Sequence, residues 1–203
     1  MFDENKIQSA LMDLQFRSQV VFAASCCERL LPFYFAFSKV EKWGNPTLLQ
    51  NALDKIWEIA KTEQFSSDEI TTIAQFCEAS IPDSEDFKSS YTGLAQNASI
   101  AVCATLDFCT SIEVQILVNV ARTSYEAVES YLQIVNDPIL DVHGVDSRFD
   151  KWIETAPMLL AEIKHQLEEL KLLSETELDN TVIEKIRFKS SRSGVQPEKR
   201  GLL

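Results

Sequence analysis

Residues 20–37 form the most apolar stretch of the chain and read VVFAASCCERLLPFYFAF. The stretch contains Glu28, Arg29 and Pro32, so it lacks the roughly 18 uncharged residues that a transmembrane helix needs. Adjacent positions on a helix point about 100° apart, so Glu28 and Arg29 cannot both face solvent while the stretch stays buried. We therefore predict a core helix, interrupted or kinked at Pro32, in which a buried charge must find a partner.

Helical periodicity also dominates the remainder of the chain. Residues 46–61, for example, place apolar side chains at steps of three and four along one stripe. Helix starts are predicted at Asn45–Pro46 and at three capping boxes, which are residues 66–69, 110–113 and 174–177. Glycine and proline are scarce, at 5 and 6 residues, and no segment alternates strictly between polar and apolar. The pattern predicts an all-α bundle of about eight helices with no β-sheet.

The chain has 203 residues, of which 45% are hydrophobic and 25% charged, and this suits one globular domain. Its C-terminal end changes character. From Lys185 onward there are six basic residues and one acidic residue, which give a net charge of +5. Because the whole chain has a net charge of −12, the residues before Lys185 have a net charge of −17. We therefore predict a helical domain over residues 1–187 and a basic, mobile tail over residues 188–203.

A net charge of −12 argues against broad nucleic-acid binding, except through the tail. Asp3 and Glu4 precede the first positive charge, which is not the pattern of a secretory signal, so a cytoplasmic protein is expected. The five cysteines are odd in number and form no CxxC motif. They are expected to be small buried hydrophobes in a reducing compartment. A reactive thiol at Cys26 or Cys27 is the alternative, and it requires surroundings that stabilise the thiolate.

Metal and catalytic motifs are sparse. His143 and His165 are the two histidines, and Glu162 with His165 forms the single Glu-x-x-His motif, whereas a ferritin-like centre needs two. His165 is expected on the polar side of its helix, beside Glu162, Glu168 and Glu169. The chain contains no GxSxG, GxxxxGK[ST] or GxGxxG pattern. We predict no metal site and no cofactor, and the sequence indicates no catalytic residues.

The charged pair Glu28–Arg29 is the most informative candidate site. Arg122 and Asp107 interrupt other apolar runs, so they are candidate partners for the pair. The first interpretation is a buried ion-pair network that sets the register of the helices. The alternative is a polar pocket at the centre of the bundle, with Tyr34 and Trp57 among the side chains that line it.

Several short stretches resemble one protein family. Residues 27–34 read CERLLPFY, followed in order by LDKIWE, IPDSEDF, VARTS and WIE at positions 53, 81, 120 and 152. Together they resemble the YjaG-like bacterial proteins, a family catalogued as a domain of unknown function. The resemblance spans about residues 15–170 and leaves the basic tail outside. It implies a compact all-α fold in a bacterial cytoplasmic protein, and it implies no catalytic residues.

Three functions remain open from the sequence. The first is a non-enzymatic protein-interaction module whose acidic surface suits a basic protein partner. The second is a small-molecule or catalytic pocket around Glu28, Arg29 and Arg122. The third is a contact between the tail and nucleic acid or anionic lipid. A closed core around Glu28 favours the first function, while a cavity of a few hundred Å³ that reaches Arg29 favours the second.

Overall fold

A computed structural model describes residues 2–143 and 152–197. Across those residues the chain is helical apart from its connections, and it contains no strand, which confirms the predicted all-α class. Besides a short helical turn at residues 152–154, the helices are α1 (Glu4–Met12), α2 (Phe16–Glu41), α3 (Pro46–Thr62), α4 (Ser67–Glu78), α5 (Thr92–Ser111), α6 (Val114–His143), α7 (Pro157–Glu175) and α8 (Asn180–Ser193).

Helix α2 lies at the centre of the bundle and packs against α3, α5, α6, α7 and α8. It is long and apolar enough to cross a membrane, but 78% of its most apolar window is buried inside the protein. The helix continues through Pro32 to Glu41, so it is not interrupted at this residue. Phe33, Tyr34 and Phe37 are completely buried on the same turns. Their packing offsets the backbone hydrogen bond that proline removes.

Two of the predicted helix starts are confirmed. Asn45 caps α3, where its Oδ1 accepts a hydrogen bond from the backbone N–H of Leu48 at 3.0 Å. Ser66 caps α4, and its Oγ accepts from the N–H of Glu69 at 3.5 Å. In both cases the side chain accepts from an N–H group of the first helical turn, where backbone donors lack the carbonyl partner four residues earlier that later turns provide.

The other two capping boxes are not helix starts. Thr110 belongs to the last turn of α5, and α6 begins only at Val114. Ser174 lies within the last turn of α7, and α8 is capped instead by Asp179, whose carboxylate accepts from the N–H of Val182 at 2.7 Å. The four-residue pattern is short. Here the preceding helix packs against its neighbours and therefore continues past the predicted boundary.

The C-terminal segment also differs from the prediction. Helix α8 continues to Ser193, five residues past the predicted start of the tail at residue 188, and Ser190 is buried. Gly194 lies against α2, where an added Cβ would stand 2.6 Å from the carbonyl oxygen of Arg29. Val195 packs against the hydrophobic core. The chain is therefore part of the fold as far as Val195, and residues 198–203 lie outside the described part.

Replacing Gly194 by alanine tests this packing. The backbone at Gly194 has φ −63° and ψ 152°, which any residue adopts, so the effect of Gly194→Ala is purely steric. We expect a loss of about 1–3 kcal/mol in the free energy of unfolding, measured by urea denaturation. Gly93 is the matched control, because a Cβ added there would meet no other part of the protein within 4 Å. Equal effects of Gly194→Ala and Gly93→Ala would show that the segment is not packed on α2.

Candidate functional site

The most extensive buried polar site lies where α2, α6 and α7 meet. We call it the Arg29 cluster, and it consists of Ser25, Arg29, Ser124, Glu162, Gln166 and Glu169. None of these six residues is more than 9% exposed. The cluster therefore places one guanidinium and two carboxyl groups in an otherwise apolar interior.

All five N–H donors of the Arg29 guanidinium are used. Nε donates to Glu162 Oε2 at 2.8 Å, and Nη2 donates to Glu162 Oε1 at 3.0 Å and to Cys26 Sγ at 3.3 Å. Nη1 donates to Ser25 Oγ at 3.1 Å and to Glu169 Oε2 at 3.5 Å. The two bonds to Glu162 form the bidentate arrangement that matches a planar guanidinium to a carboxylate. Arg29 has no donor left for a substrate.

Glu162 is the best-satisfied acid of the cluster. Its Oε1 also accepts hydrogen bonds from Ser124 Oγ and Gln166 Nε2, both at 2.8 Å. Burial by itself raises the pKa of Glu162, but the charge of Arg29 and the hydrogen bonds from Arg29, Gln166 and Ser124 outweigh it, so the pKa is lowered. Glu162 is therefore ionised at neutral pH and is the direct counter-ion of Arg29.

Glu169 is less well satisfied. Its Oε2 lies 3.5 Å from Arg29, and its buried Oε1 has no hydrogen-bond partner in the described protein. Burial raises the pKa of Glu169 to about 7, and the charge of Arg29 compensates only in part. Glu169 thus changes its charge near neutral pH, inside the protein.

Neither acidic partner of Arg29 is predicted by the sequence pattern. The expectation that Glu162 and Glu169 lie on the polar side of the helix with His165 is wrong for both, although Glu168 is exposed. Residues 162, 166 and 169 lie three and four apart, so they share one face of α7 with the buried Leu159, Leu170 and Leu173. A usable signal was present, because polar residues recur on the face that also carries leucines.

Glu28 lies outside the cluster, on another face of α2. Trp57 Nε1 donates to Glu28 Oε2 at 2.8 Å, and Arg187 Nε lies 3.7 Å from the same oxygen. The Arg187 guanidinium also covers the indole ring of Trp57, 5.8 Å from its centroid. Burial raises the pKa of Glu28, while the Trp57 hydrogen bond and Arg187 lower it. Glu28 and Trp57 therefore join α2 and α3 to α8.

The other predicted site residues lie apart from both groups. Arg122 pairs with Glu4 of α1 and is 37% exposed. Asp107 is exposed on α5, and its pKa is raised by partial burial and by Glu78. The expectation that Arg122 or Asp107 would be the partner of the Glu28–Arg29 pair is therefore wrong. A charged residue that interrupts a long apolar run can lie at the edge of the buried face of its helix or at the centre of that face. The sequence does not distinguish these two positions.

Tyr34 has a structural contact of its own. It is fully buried, and its hydroxyl group donates to the carbonyl oxygen of Ser80 at 2.8 Å and accepts from the N–H of Asn45 at 3.2 Å. These two bonds join α2 to the connections before α3 and after α4. Burial raises the pKa of Tyr34, so the phenol stays protonated at neutral pH.

Two cavities adjoin the Arg29 cluster. The larger one measures about 210 Å³ and is lined mainly by Arg29, Leu30, Phe33, Ser124, Val128, Met158, Glu162, His165 and the segment 193–196. The smaller one measures about 40 Å³ and is lined by Arg29, His165, Glu168, Glu169, Leu172, Ile186, Lys189, Ser190 and Ser193. Arg29, His165 and Ser193 line both, so the two cavities are neighbours.

The five cysteines are all buried and free. Burial raises the pKa of Cys26 and raises that of Cys27 to about 12, so both stay as thiols at neutral pH. These surroundings disfavour the reactive-thiol alternative. Within the described ranges no three histidine, cysteine or acidic side chains are grouped as metal ligands.

Replacing Arg29 by methionine removes the cation of the cluster while keeping most of its volume. Because Glu162 then stays buried without a counter-ion, we expect a loss of about 3–5 kcal/mol in the free energy of unfolding. The control is Glu28→Gln, which keeps an acceptor for Trp57 at a partly exposed position and is expected to cost less than about 1 kcal/mol. A cost of less than about 1 kcal/mol for Arg29→Met would contradict a buried ion pair.

The raised pKa of Glu169 leads us to predict that the stability of the protein depends on pH. Its pKa is about 7 in the folded protein against an ordinary value of 4.5, so between these values the folded state binds the extra proton. The contribution of Glu169 to the free energy of unfolding therefore falls as the pH rises from about 4.5 to about 7. One pKa unit corresponds to about 1.4 kcal/mol, so the fall reaches about 3 kcal/mol. Urea denaturation should show that Glu169→Gln gains stability over the wild type between pH 5 and pH 8. Glu168→Gln is the exposed control, and parallel pH profiles for Glu169→Gln and the wild type would refute the prediction.

The similarity of this chain to known proteins extends beyond the stretches identified from the sequence. No curated protein matches the chain. A solved structure of a DUF416 family protein from Shewanella baltica OS155 is 24% identical, covers 94% of this chain and 95% of its own, and superposes with a TM-score of 0.80. The family model described as "Protein of unknown function (DUF416)" matches residues 6–196, which include α8 and the segment that contacts Arg29. The chain therefore belongs to the DUF416 family of proteins of unknown function.

Proposed function

We propose that this protein is a non-enzymatic interaction module that binds a basic protein partner through an acidic surface. The acidic surface consists of the exposed carboxylates of residues 63–88, which are Glu63, Asp68, Glu69, Glu78, Asp83, Glu85 and Asp86. With Lys88 as the one basic residue, this segment has a net charge of −6, half of the net charge of the chain. That concentration of charge is the observation that carries the proposal.

Few of these charges are neutralised within the protein. Glu69 pairs with Lys55 at 3.1 Å, and the other six have no ion pair with any residue that the structure describes. Glu78 also raises the pKa of the neighbouring Asp107, as expected when like charges repel. A cationic partner would relieve this repulsion, and the field of the surface would accelerate its approach.

An apolar contact point accompanies the charge. Phe76 lies on α4 between the carboxylates and is 59% exposed. Aromatic side chains supply much of the binding energy at protein interfaces, while the charged rim determines the rate and selectivity of association. Helix α4 thus offers a basic partner both an apolar anchor and a negative field.

Arg29 and Glu162 support a role without catalysis, whereas the cavity of about 210 Å³ that Arg29 lines favours the small-molecule pocket left open from the sequence. The donors of Arg29 are all used inside the protein, and Glu162 Oε1 already accepts three hydrogen bonds. A general acid or base needs a free position within hydrogen-bond reach of a substrate, and neither group offers one. We also propose that the protein is cytoplasmic and that it is one of the YjaG-like members of its family. The support is that the stretches quoted above occur in the same order as in those proteins.

The basic residues of α8 weigh against binding of nucleic acid or anionic lipid by the C-terminal end. Arg187 pairs with Asp54 and lies 3.7 Å from Glu28, and Lys189 lies 3.8 Å from Glu168. These residues face the acidic body of the protein, so part of the positive charge is already compensated. We therefore rank a basic protein above a polyanion as the partner.

The acidic surface can be tested by charge neutralisation. The triple variant Asp83→Asn, Glu85→Gln, Asp86→Asn removes three carboxylates, and the control Glu113→Gln, Glu175→Gln, Glu177→Gln removes three carboxylates elsewhere. Partners captured by wild-type protein from a lysate of the source cells are identified by mass spectrometry, purified and titrated against each variant.

We expect a basic partner whose affinity falls at least tenfold in the first variant, is unchanged in the control, and weakens with added salt. Cross-links to residues 63–88 would support the same surface. Equal affinities for both variants, or a partner whose binding is insensitive to salt, would contradict the proposal.

A further inference from the structure

The cavity of about 210 Å³ is bordered by four parts of the chain. They are helices α2, α6 and α7 and residues 193–196, which include the end of α8 and the segment after it. None of its lining residues belongs to the acidic surface of residues 63–88, so it is separate from the proposed protein-binding surface. Because a cavity of about 150 Å³ holds one benzene ring, this one has room for a ring and a few further atoms.

The charged side chains that line this cavity neutralise each other. They are Arg29 and Glu162, which form the bidentate ion pair. Every donor of Arg29 is engaged inside the protein, and Glu162 Oε1 already accepts three hydrogen bonds. A charged ligand would lose its hydration here without gaining a counter-ion. The cavity therefore favours an uncharged ligand.

Most of the remaining lining is apolar. Met158 is 38% exposed and Ala161 is also exposed, so both offer accessible apolar surface to a ligand. Covering such surface is the main source of affinity for a small apolar molecule. The apolar lining residues are Leu30, Phe33, Val128, Met158, Ala161 and Val195.

One polar side chain at the cavity has no partner within the described protein. His165 of α7 makes no hydrogen bond and no ion pair with any residue that the structure describes, and it is only partly buried. Burial and the charge of Arg29 lower its pKa, so the imidazole is neutral at neutral pH. A neutral imidazole has one N–H donor and one nitrogen acceptor. His165 is therefore available to form a hydrogen bond with a ligand.

We propose that the 210 Å³ cavity binds a small uncharged molecule with an apolar body and one hydroxyl group. Met158, Ala161 and His165 are spaced three and four residues apart, so they follow one face of α7. The apolar body contacts Met158 and Ala161, and the hydroxyl group forms a hydrogen bond with His165. Because a hydroxyl group both donates and accepts, it matches either nitrogen of the imidazole. A mainly apolar cavity with few polar groups is the usual composition of a small-molecule site.

The methionines of the chain allow the proposal to be tested at one residue. They are Met1, Met12 and Met158. Met158 lines the cavity, whereas Met12 on α1 is 67% exposed and does not. In the full chain labelled with methyl-¹³C methionine, titration with benzyl alcohol should give a saturable shift of the Met158 methyl signal and leave the Met12 signal unchanged. The variant Met158→Leu assigns the signal.

Two substitutions on α7 distinguish a filled cavity from a general effect on the helix. Ala161→Phe places a ring at the cavity from an exposed position, so the chain should fold while its affinity for benzyl alcohol falls at least tenfold. Leu160→Phe is the matched control, because Leu160 is 47% exposed and does not line the cavity. It should leave the affinity unchanged. Circular dichroism and thermal unfolding establish that both variants are folded.

Analogues of the probe test the chemistry of the ligand. Toluene lacks the hydroxyl group and should bind about fivefold more weakly than benzyl alcohol, which is the effect of one hydrogen bond. His165→Phe should abolish this difference. Benzoate and benzylamine are charged at pH 7 and should bind at least tenfold more weakly.

Four results would each overturn the proposal. They are equal shifts of the Met12 and Met158 signals, the absence of a saturable shift at millimolar benzyl alcohol, equal affinities of Ala161→Phe and the wild type, and a charged analogue that binds as tightly as benzyl alcohol.

Discussion

The bidentate ion pair between Arg29 and Glu162 is the constraint on which the packing of α2, α6 and α7 depends. A guanidinium this deeply buried must have a planar, fully bonded partner, because the cost of leaving either charge alone exceeds the stability that most single contacts contribute. Ser124 and Gln166 fix the carboxylate from two further positions. Only one register of α7 against α2 and α6 satisfies all of these bonds together.

The same region also positions the end of the chain. Gly194 passes so close to the backbone of Arg29 that no larger side chain fits without movement, and Val195 packs on the core beyond it. On the neighbouring face of α2, Glu28 contacts Trp57 and Arg187 and so connects α3 to α8. The adjacent charges Glu28 and Arg29 therefore face different helices, and together they connect the first half of the chain to its last two helices.

The distribution of charge separates two parts of the molecule. Inside, the carboxyl group of Glu169 lies in surroundings of low polarity, which make its charge costly and raise its pKa to about 7. Outside, the carboxylates of residues 63–88 face solvent, where their individual effects are weak but their field acts over a distance of about 10 Å.

Periodic patterns in the sequence were sufficient to determine the all-α class, the apolar character of the helix over residues 20–37 and the caps at Asn45 and Ser66, because these depend on interactions within a few residues. The central position of that helix was decided by tertiary packing. The need of Arg29 for a partner was also evident from its apolar neighbours. The identity of that partner was not, since Glu162 is 133 positions away and the polar residues on the leucine-bearing face of α7 indicate burial without indicating which cation they meet. The end of α8, the contact of Gly194 with α2 and the cavities beside Glu169 were likewise decided only by tertiary packing, which brings together residues whose local sequence carries no record of one another.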